Sequence, residues 1–529
     1  MTLSAERTPD RIWSNFDISD RDLEFIYNLL LEREAPLTTR EMASALVTFR
    51  LELLERETAL VDASPAMRYL PAERYGVGQR LAFPALQDVE GQVVGIRAGS
   101  NPSLGAFEVV EVEFPGGHHR EFAIGLAEHA LNRIEEAETS ADNLQTPESI
   151  LDRHGKVIDE RLTARLNQAK DIVRIAGRWF PRALLADIHA GHLNLAEAVL
   201  DVAGGGPLPT KDLVPDLGLA GDLDPLLAEF SLDYALQEDE RFDEVGPAGR
   251  VLWYLRRLEP PEVLYPPPRL EPVVIPHDRS LLTESLLALE RELDDELSPL
   301  PDPDEPPESV TLALLFPHWR VGTLPLSARL RTLFPTAYEA PRIRFILVDG
   351  QTGKRFPGWV VREQRYVFGL DEWYRAHDIP AGGLVRVRRG AEPGEVVVEA
   401  SDHRKRNDWI RTISVDGAQV GFSMLKQPVG SAYDDLMIVG LTDAHALDEA
   451  WLRGAQRRMP VEKLVTHVFR ELAKLNPQSA VHAQALYSGV NVLQRLAPAP
   501  IFCELLSRRH FSHVGDLYWR FDETAWSAA

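Results

Sequence analysis

The chain has 529 residues, with 57 Lys and Arg against 81 Asp and Glu, a net charge of −24, and a single cysteine, Cys503. That length exceeds one hydrophobic core and implies roughly three to five domains. One cysteine excludes an intrachain disulfide, no apolar run is long enough to span a bilayer, and "MTLSAERTPDRIW" lacks the apolar core of a secretory signal, so a cytoplasmic setting is expected.

Residues 1–70 read as helical. "SDRDLEFIYNLLLERE" places apolar residues at helical spacing behind Ser19 or Asp20, and "LTTREMASALVTFRLELLERE" repeats the pattern behind Thr38 and Thr39. Two helices with a short polar joint fit half of a helix-turn-helix and equally a generic helical hairpin. Residues 71–126 change to short β-branched runs bounded by Gly or Pro, such as "GQVVGIRAG" and "GAFEVVEVEF". They look like a small SH3-like barrel, a fold that binds nucleic acid or protein.

Residues 127–258 return to helix. His189 and His192 share a helical face there, but no third ligand stands nearby, so no metal is expected. Residues 259–310 carry "LEPPEVLYPPPRLEP" and "LSPLPDPDEPPES", a Pro- and acid-rich linker composition, around one helix, "RSLLTESLLALERELDDEL".

Residues 311–415 read as strands around one short helix, "LDEWYRAHDIP". "RIRF" and "VRVRR" alternate, so each strand has an arginine face and an apolar face. The stretch "DGQTGKRF" ends in Gly-Lys like a phosphate loop. It lacks the glycine spacing, the following helix and the terminal hydroxyl of one, and β-type residues flank it, so a hairpin turn tipped by Lys354 and Arg355 is expected. Residues 416–529 are mostly helical and close on a strand pair.

Charge divides along the chain. Residues 311–529 hold 28 basic and 23 acidic groups, while the first 310 hold 29 and 58; residues 311–412 alone hold 17 and 11. Phosphate binding requires several cations on one surface. The candidates are Arg342, Arg344, Lys354, Arg355, Arg362, Arg365, Arg386, Arg388, Arg389, Arg404, Lys405 and Arg406, with Trp359, Trp373 or Trp409 as base-stacking platforms.

Two segments repeat. "ERFDEVGPAGRVLW" and "RHFSHVGDLYW" each give Phe, two residues, Val-Gly and an aromatic strand, and each follows apolar helices. This ending resembles the HARE-HTH type of winged helix over about 55–65 residues in each half. The resemblance implies a DNA-linked or transcription-linked adaptor, with groove contacts from exposed helix faces and the wing. Arg495, Arg508 and Arg509 are the candidates in the C-terminal copy. The first copy, with "LQEDERFDE", is too acidic to favour DNA and suits a protein partner. The strand–hairpin–strand–helix–strand order of 311–415 is similar to B3-like DNA-binding pseudobarrels.

No nucleotide loop, paired-cysteine metal site or nucleophile elbow appears. The expectation is an α+β multidomain protein without cofactor or catalytic site. It would contact DNA through its basic C-terminal half and protein partners through its acidic N-terminal half. A protein-interaction scaffold without DNA affinity and a DNA-processing enzyme with an unfamiliar site are the alternatives.

Overall fold

The computed structural model describes residues 13–14, 16–62, 67–83, 86, 89–101, 107–132, 146–219, 224–416, 419–455 and 459–526. It is a mixed α/β protein with several separate sheets. The chain divides into two compact units, Met1–Ile172 and Val173–Ala529.

In the first unit, α1 (Asp20–Arg33) starts at a reciprocal cap. The Ser19 hydroxyl accepts from the Asp22 N–H, and the Asp22 carboxylate accepts from the Ser19 N–H at 2.7 Å. Asp22 is buried, and Arg50 on α2 (Thr39–Asp62) neutralises it. Phe25 and Phe49 stack between the two helices with ring centres 4.2 Å apart. A third helix, α3 (Pro147–Leu166), packs on α2 and begins at Thr146 with proline in its first turn. Arg40 lies across it at Gly155, where an added Cβ would sit 2.0 Å from the guanidinium. Between α2 and α3 in sequence comes a five-stranded sheet in chain order: β1 (Met67–Arg68), β2 (Arg80–Phe83), β3 (Val89–Ala98), β4 (Glu108–Phe114) and β5 (His118–Ile124). Tyr69, Phe83, Val93, Val110, Val112 and Phe114 fill its core.

The second unit contains two modules built in the same order. The first runs α4 (Ala190–Val202), α5 (Thr210–Leu213), α6 (Pro225–Gln237), β6 (Phe242–Glu244) and β7 (Trp253–Leu255). The second, near the C-terminus, ends the same way. The closing strand pairs share one register: Phe242 lies opposite Leu255 and Glu244 opposite Trp253, as Phe511 lies opposite Phe521 and His513 opposite Trp519. In both, a residue before the second helix pairs with the tryptophan, Leu208 with Trp253 as an isolated bridge and Val481 with Trp519 within a strand.

Between the modules lies a curled half-barrel. Its strands are β8 (Ser309–Ala313), β9 (Thr323–Pro325), β10 (Arg342–Asp349), β11 (Arg355–Val361), β12 (Tyr366–Phe368), β13 (Leu384–Arg389) and β14 (Glu395–Ala400). The order across this seven-stranded sheet is β8-β13-β14-β10-β11-β12-β9, all antiparallel except β10 with β14. Two helices, α8 (Phe316–Arg320) and α9 (Asp371–Ala376), belong to it.

The expected linker over 259–310 is instead packed. Leu282 and, from α7 (Glu284–Leu293), Leu286 and Leu289 join the core of the second module, and Asp295 and Glu296 are buried. Proline density signals an extended backbone here, but the leucines at helical spacing find a partner surface. The expected boundary at 415/416 falls inside a long hairpin, β15 (Asp402–Asp416) with β16 (Gln419–Ser431), which β17 (Gly440–Leu441) joins in parallel. A helix, α10 (Ala444–Ala455), follows and packs on the hairpin. The second module is then α11 (Val461–Ala473), β18 (Ala480–His482), α12 (Ala483–Leu493), α13 (Pro498–Ser507), β19 (Phe511–Gly515) and β20 (Tyr518–Phe521).

Candidate nucleic-acid interface

Alternation along β10 and β13 does place arginines on one side, as expected, but the first module docks on the β10 part of that side. Arg342 meets Asp243 and Glu259, its Nε 3.1 Å from the Glu259 carboxylate. Arg344 is half-buried with its guanidinium over the Tyr254 ring, 5.7 Å from the centre. The backbone joins the same contact: the Arg344 N–H donates to the Val245 carbonyl at 2.9 Å. Tyr254 also meets Trp359 edge-on within an apolar cluster of Val245, Leu252, Val361 and Tyr366. These two arginines therefore hold the first module to the half-barrel.

Acids at this junction respond to burial. Glu244 and Glu259 are each pushed up to about 8, first by desolvation and, for Glu259, also by Asp243 beside it.

Arg495 is the clearest departure from a surface role. It is 3 % exposed and donates to Asp295 at 2.7 Å and to Glu296 at 2.7 Å. Tyr487 donates to Asp295, and His318 lies 3.1 Å from Glu296. Burial raises Glu296, but Arg495 and His318 outweigh it and hold this carboxyl well below its usual range. The cluster clasps the segment after α7, α8 and α12 together, and no phosphate can reach Arg495.

Other candidates pair locally. Arg355 meets Glu395, Arg388 meets Glu399 at 3.0 Å, Arg406 meets Asp408 at 2.7 Å, and Arg508 meets Glu504 and Glu462. Arg362 donates to the Ala340 carbonyl and Arg365 to the Glu296 carbonyl. The side chains of Arg404 and Lys405 lie outside the described residues. Lys354, Arg386, Arg389 and Arg509 are exposed and, among the described residues, pair with no carboxylate; Arg386 contacts Ser309 and Arg389 the Thr332 carbonyl.

The turn at "DGQTGKRF" is a hairpin between β10 and β11. Asp349 organises it, accepting from the Thr352 hydroxyl, from the Gln351 N–H at 3.0 Å, and lying 3.0 Å from the His377 Nε2. Burial pushes this carboxyl up, yet those hydrogen bonds outweigh it and hold it at about 2. Gly353 supplies the positive φ of 72° that closes the turn.

Of the candidate stacking platforms, Trp359 and Trp373 are core residues at 3 % and 5 % exposure, whereas Trp409 is 64 % exposed on β15. Lys426, directly opposite Trp409 on β16, is a cation the sequence reading did not single out. Its signal was only the alternation of β16.

The helices of the second module offer little groove-reading surface. All of α12 up to Val492 is buried, and α13 is covered by α7 and the turn before it, with the Cys503 thiol near the Asp278 carbonyl. Its strand pair is open to solvent, with Ser512 to Gly515 and Arg520 exposed. The first module instead presents a groove of about 800 Å³ that is acidic on balance, with Leu185, Ile188, Leu193 and Tyr234 as its apolar floor, Asp187, Glu238 and Glu240 at its rim, Arg182 over the Tyr234 ring and Arg241 held by Asp239. His189 and His192 stack at the start of α4, and among the described residues no three metal-binding side chains converge. No helix among them is long and apolar enough to cross a membrane. The chain matches no family model, no curated protein and no solved structure.

Proposed function

We propose that the chain is a non-enzymatic, modular nucleic-acid-binding adaptor connected with transcription. Its two modules are read as winged helices of the HARE-HTH type and the half-barrel between them as B3-like. The observation that carries this reading is the repeated order of three helices and a closing strand pair, with a β-bridge or short strand before the second helix and tryptophan and phenylalanine in one register at both ends of the unit. That is the order of a winged helix, whose strand pair forms the wing.

In this reading DNA meets the wing of the second module near Arg509 and Arg520, the Lys354 turn and the β15–β16 ribbon. It does not meet α13, which is covered. The acidic first module takes a basic protein segment in its groove. An SH3-like identity for the sheet over 67–124 belongs to the same proposal.

A second reading, a protein-interaction scaffold without DNA affinity, draws its support from the Arg–carboxylate pairs that consume much of the half-barrel's positive charge. A mobility-shift assay with the full chain separates the two. Binding to duplex DNA at low salt that weakens as salt rises is expected. No binding at low salt would leave the scaffold.

A further inference from the structure

Of the ten tryptophans in the chain, Trp409 alone is counted among the exposed large hydrophobic side chains. An indole gains more from burial than almost any other side chain, so one held open on a paired strand is unusual. The strand is packed from its other side. Ile410, the next residue, points to the other face and is buried with Val429 and Val439, which anchors the ribbon from beneath.

The open face carries the right companions. Lys426 stands exposed opposite Trp409, and Asn407 precedes it opposite exposed Pro428, whereas Arg411, two residues further along, is half-buried near Asp434, Asp435 and Tyr518 and closes that end of the face. Asp408 alternates to the other side, where it takes Arg406 and accepts from the Tyr433 hydroxyl.

We propose that the β15–β16 ribbon binds single-stranded nucleic acid, with Trp409 stacked on an unpaired base and Lys426 meeting a flanking phosphate. The inference rests on the nucleic-acid reading above and narrows its ligand. A base inside a duplex has both faces covered, so an indole on a ribbon gains stacking only from an unpaired one. Cations beside an aromatic platform are how single strands are held without sequence readout.

The test is fluorescence anisotropy with the full chain, using a labelled oligothymidylate and a labelled duplex of equal length at low salt. Trp409→Ala changes an exposed side chain, so the fold is retained, which circular dichroism checks. The expected result is a loss of about tenfold in single-strand affinity for Trp409→Ala, little change for Trp409→Phe, and unchanged duplex affinity. An equal loss on both probes, or none on the single strand, overturns this inference and leaves the adaptor reading standing. A shift in sedimentation with unchanged affinities makes the indole a self-association surface and overturns it too. Binding of neither probe by the parent chain overturns both.

Discussion

Arg495 and Glu296 carry their charges where water cannot reach them, beside Asp295, whose carboxyl is pushed up by burial. Such a cluster holds together only while each charge has its counterpart, because a single uncompensated ion in a buried site is strongly disfavoured. Arg495→Met should therefore lower the unfolding free energy by roughly 3–5 kcal/mol in a urea titration, with no specific effect on nucleic-acid affinity at temperatures where the variant is folded. Asp349 is a buried acid held by hydrogen bonds of its own turn and His377 rather than by a buried arginine. Its folded value of about 2 lies below the ordinary 3.8, so its stabilising effect is complete above about pH 4 and is lost as pH falls toward 2. Asp349→Asn should then destabilise at pH 6, and the gap from the parent protein should narrow as pH drops through that window, read as the denaturation midpoint at each pH.

Elements dock through backbone as well as side chains. The loop between β6 and β7 folds tightly enough that a Cβ on Gly246 would sit 1.9 Å from the Arg250 carbonyl oxygen, and the next backbone group toward β6 bonds to β10. Gly246→Ala should displace that loop and loosen the first module from the half-barrel, visible as faster amide exchange at Arg344 and in β7 while the second module keeps its protection. Much of this level was legible from sequence. Helix starts at Ser19, the hairpin at Asp349–Phe356 and the Phe-Val-Gly-aromatic endings are local signals, decided by residues within a few positions. The partners of Arg342 and Arg495 lie 99 and 200 residues away, at Asp243 and Asp295. Alternation tells which residues share a face but not which face another module will cover. For the same reason Trp359 and Trp409 looked alike in sequence and differ in the fold.

At the scale of the molecule, the charge split survives as a number but changes as a surface. The C-terminal stretch 311–529 remains net basic by composition, yet carboxylates within the second unit neutralise many of its arginines, several contributed by residues before 311 such as Asp243, Glu259, Asp295 and Asp302. What stays solvent-facing and unpaired with acid among the described candidates is Lys354, Arg386, Arg389 and Arg509, to which the ribbon adds Lys426 and the wing Arg520. Counterion release makes this measurable, because each phosphate neutralised contributes about −0.9 to the slope of log K against log salt on duplex DNA. Fifteen engaged cations would give about −13, whereas five or six give about −5. The full chain should therefore bind duplex DNA with the shallow slope. Lys354→Ala should flatten it by about one further unit, while Arg388→Ala, which removes a cation already held by Glu399, should leave it unchanged. A steep slope would mean that the Arg–carboxylate pairs open on binding and that the half-barrel's arginine face, not the ribbon and wing, meets the nucleic acid.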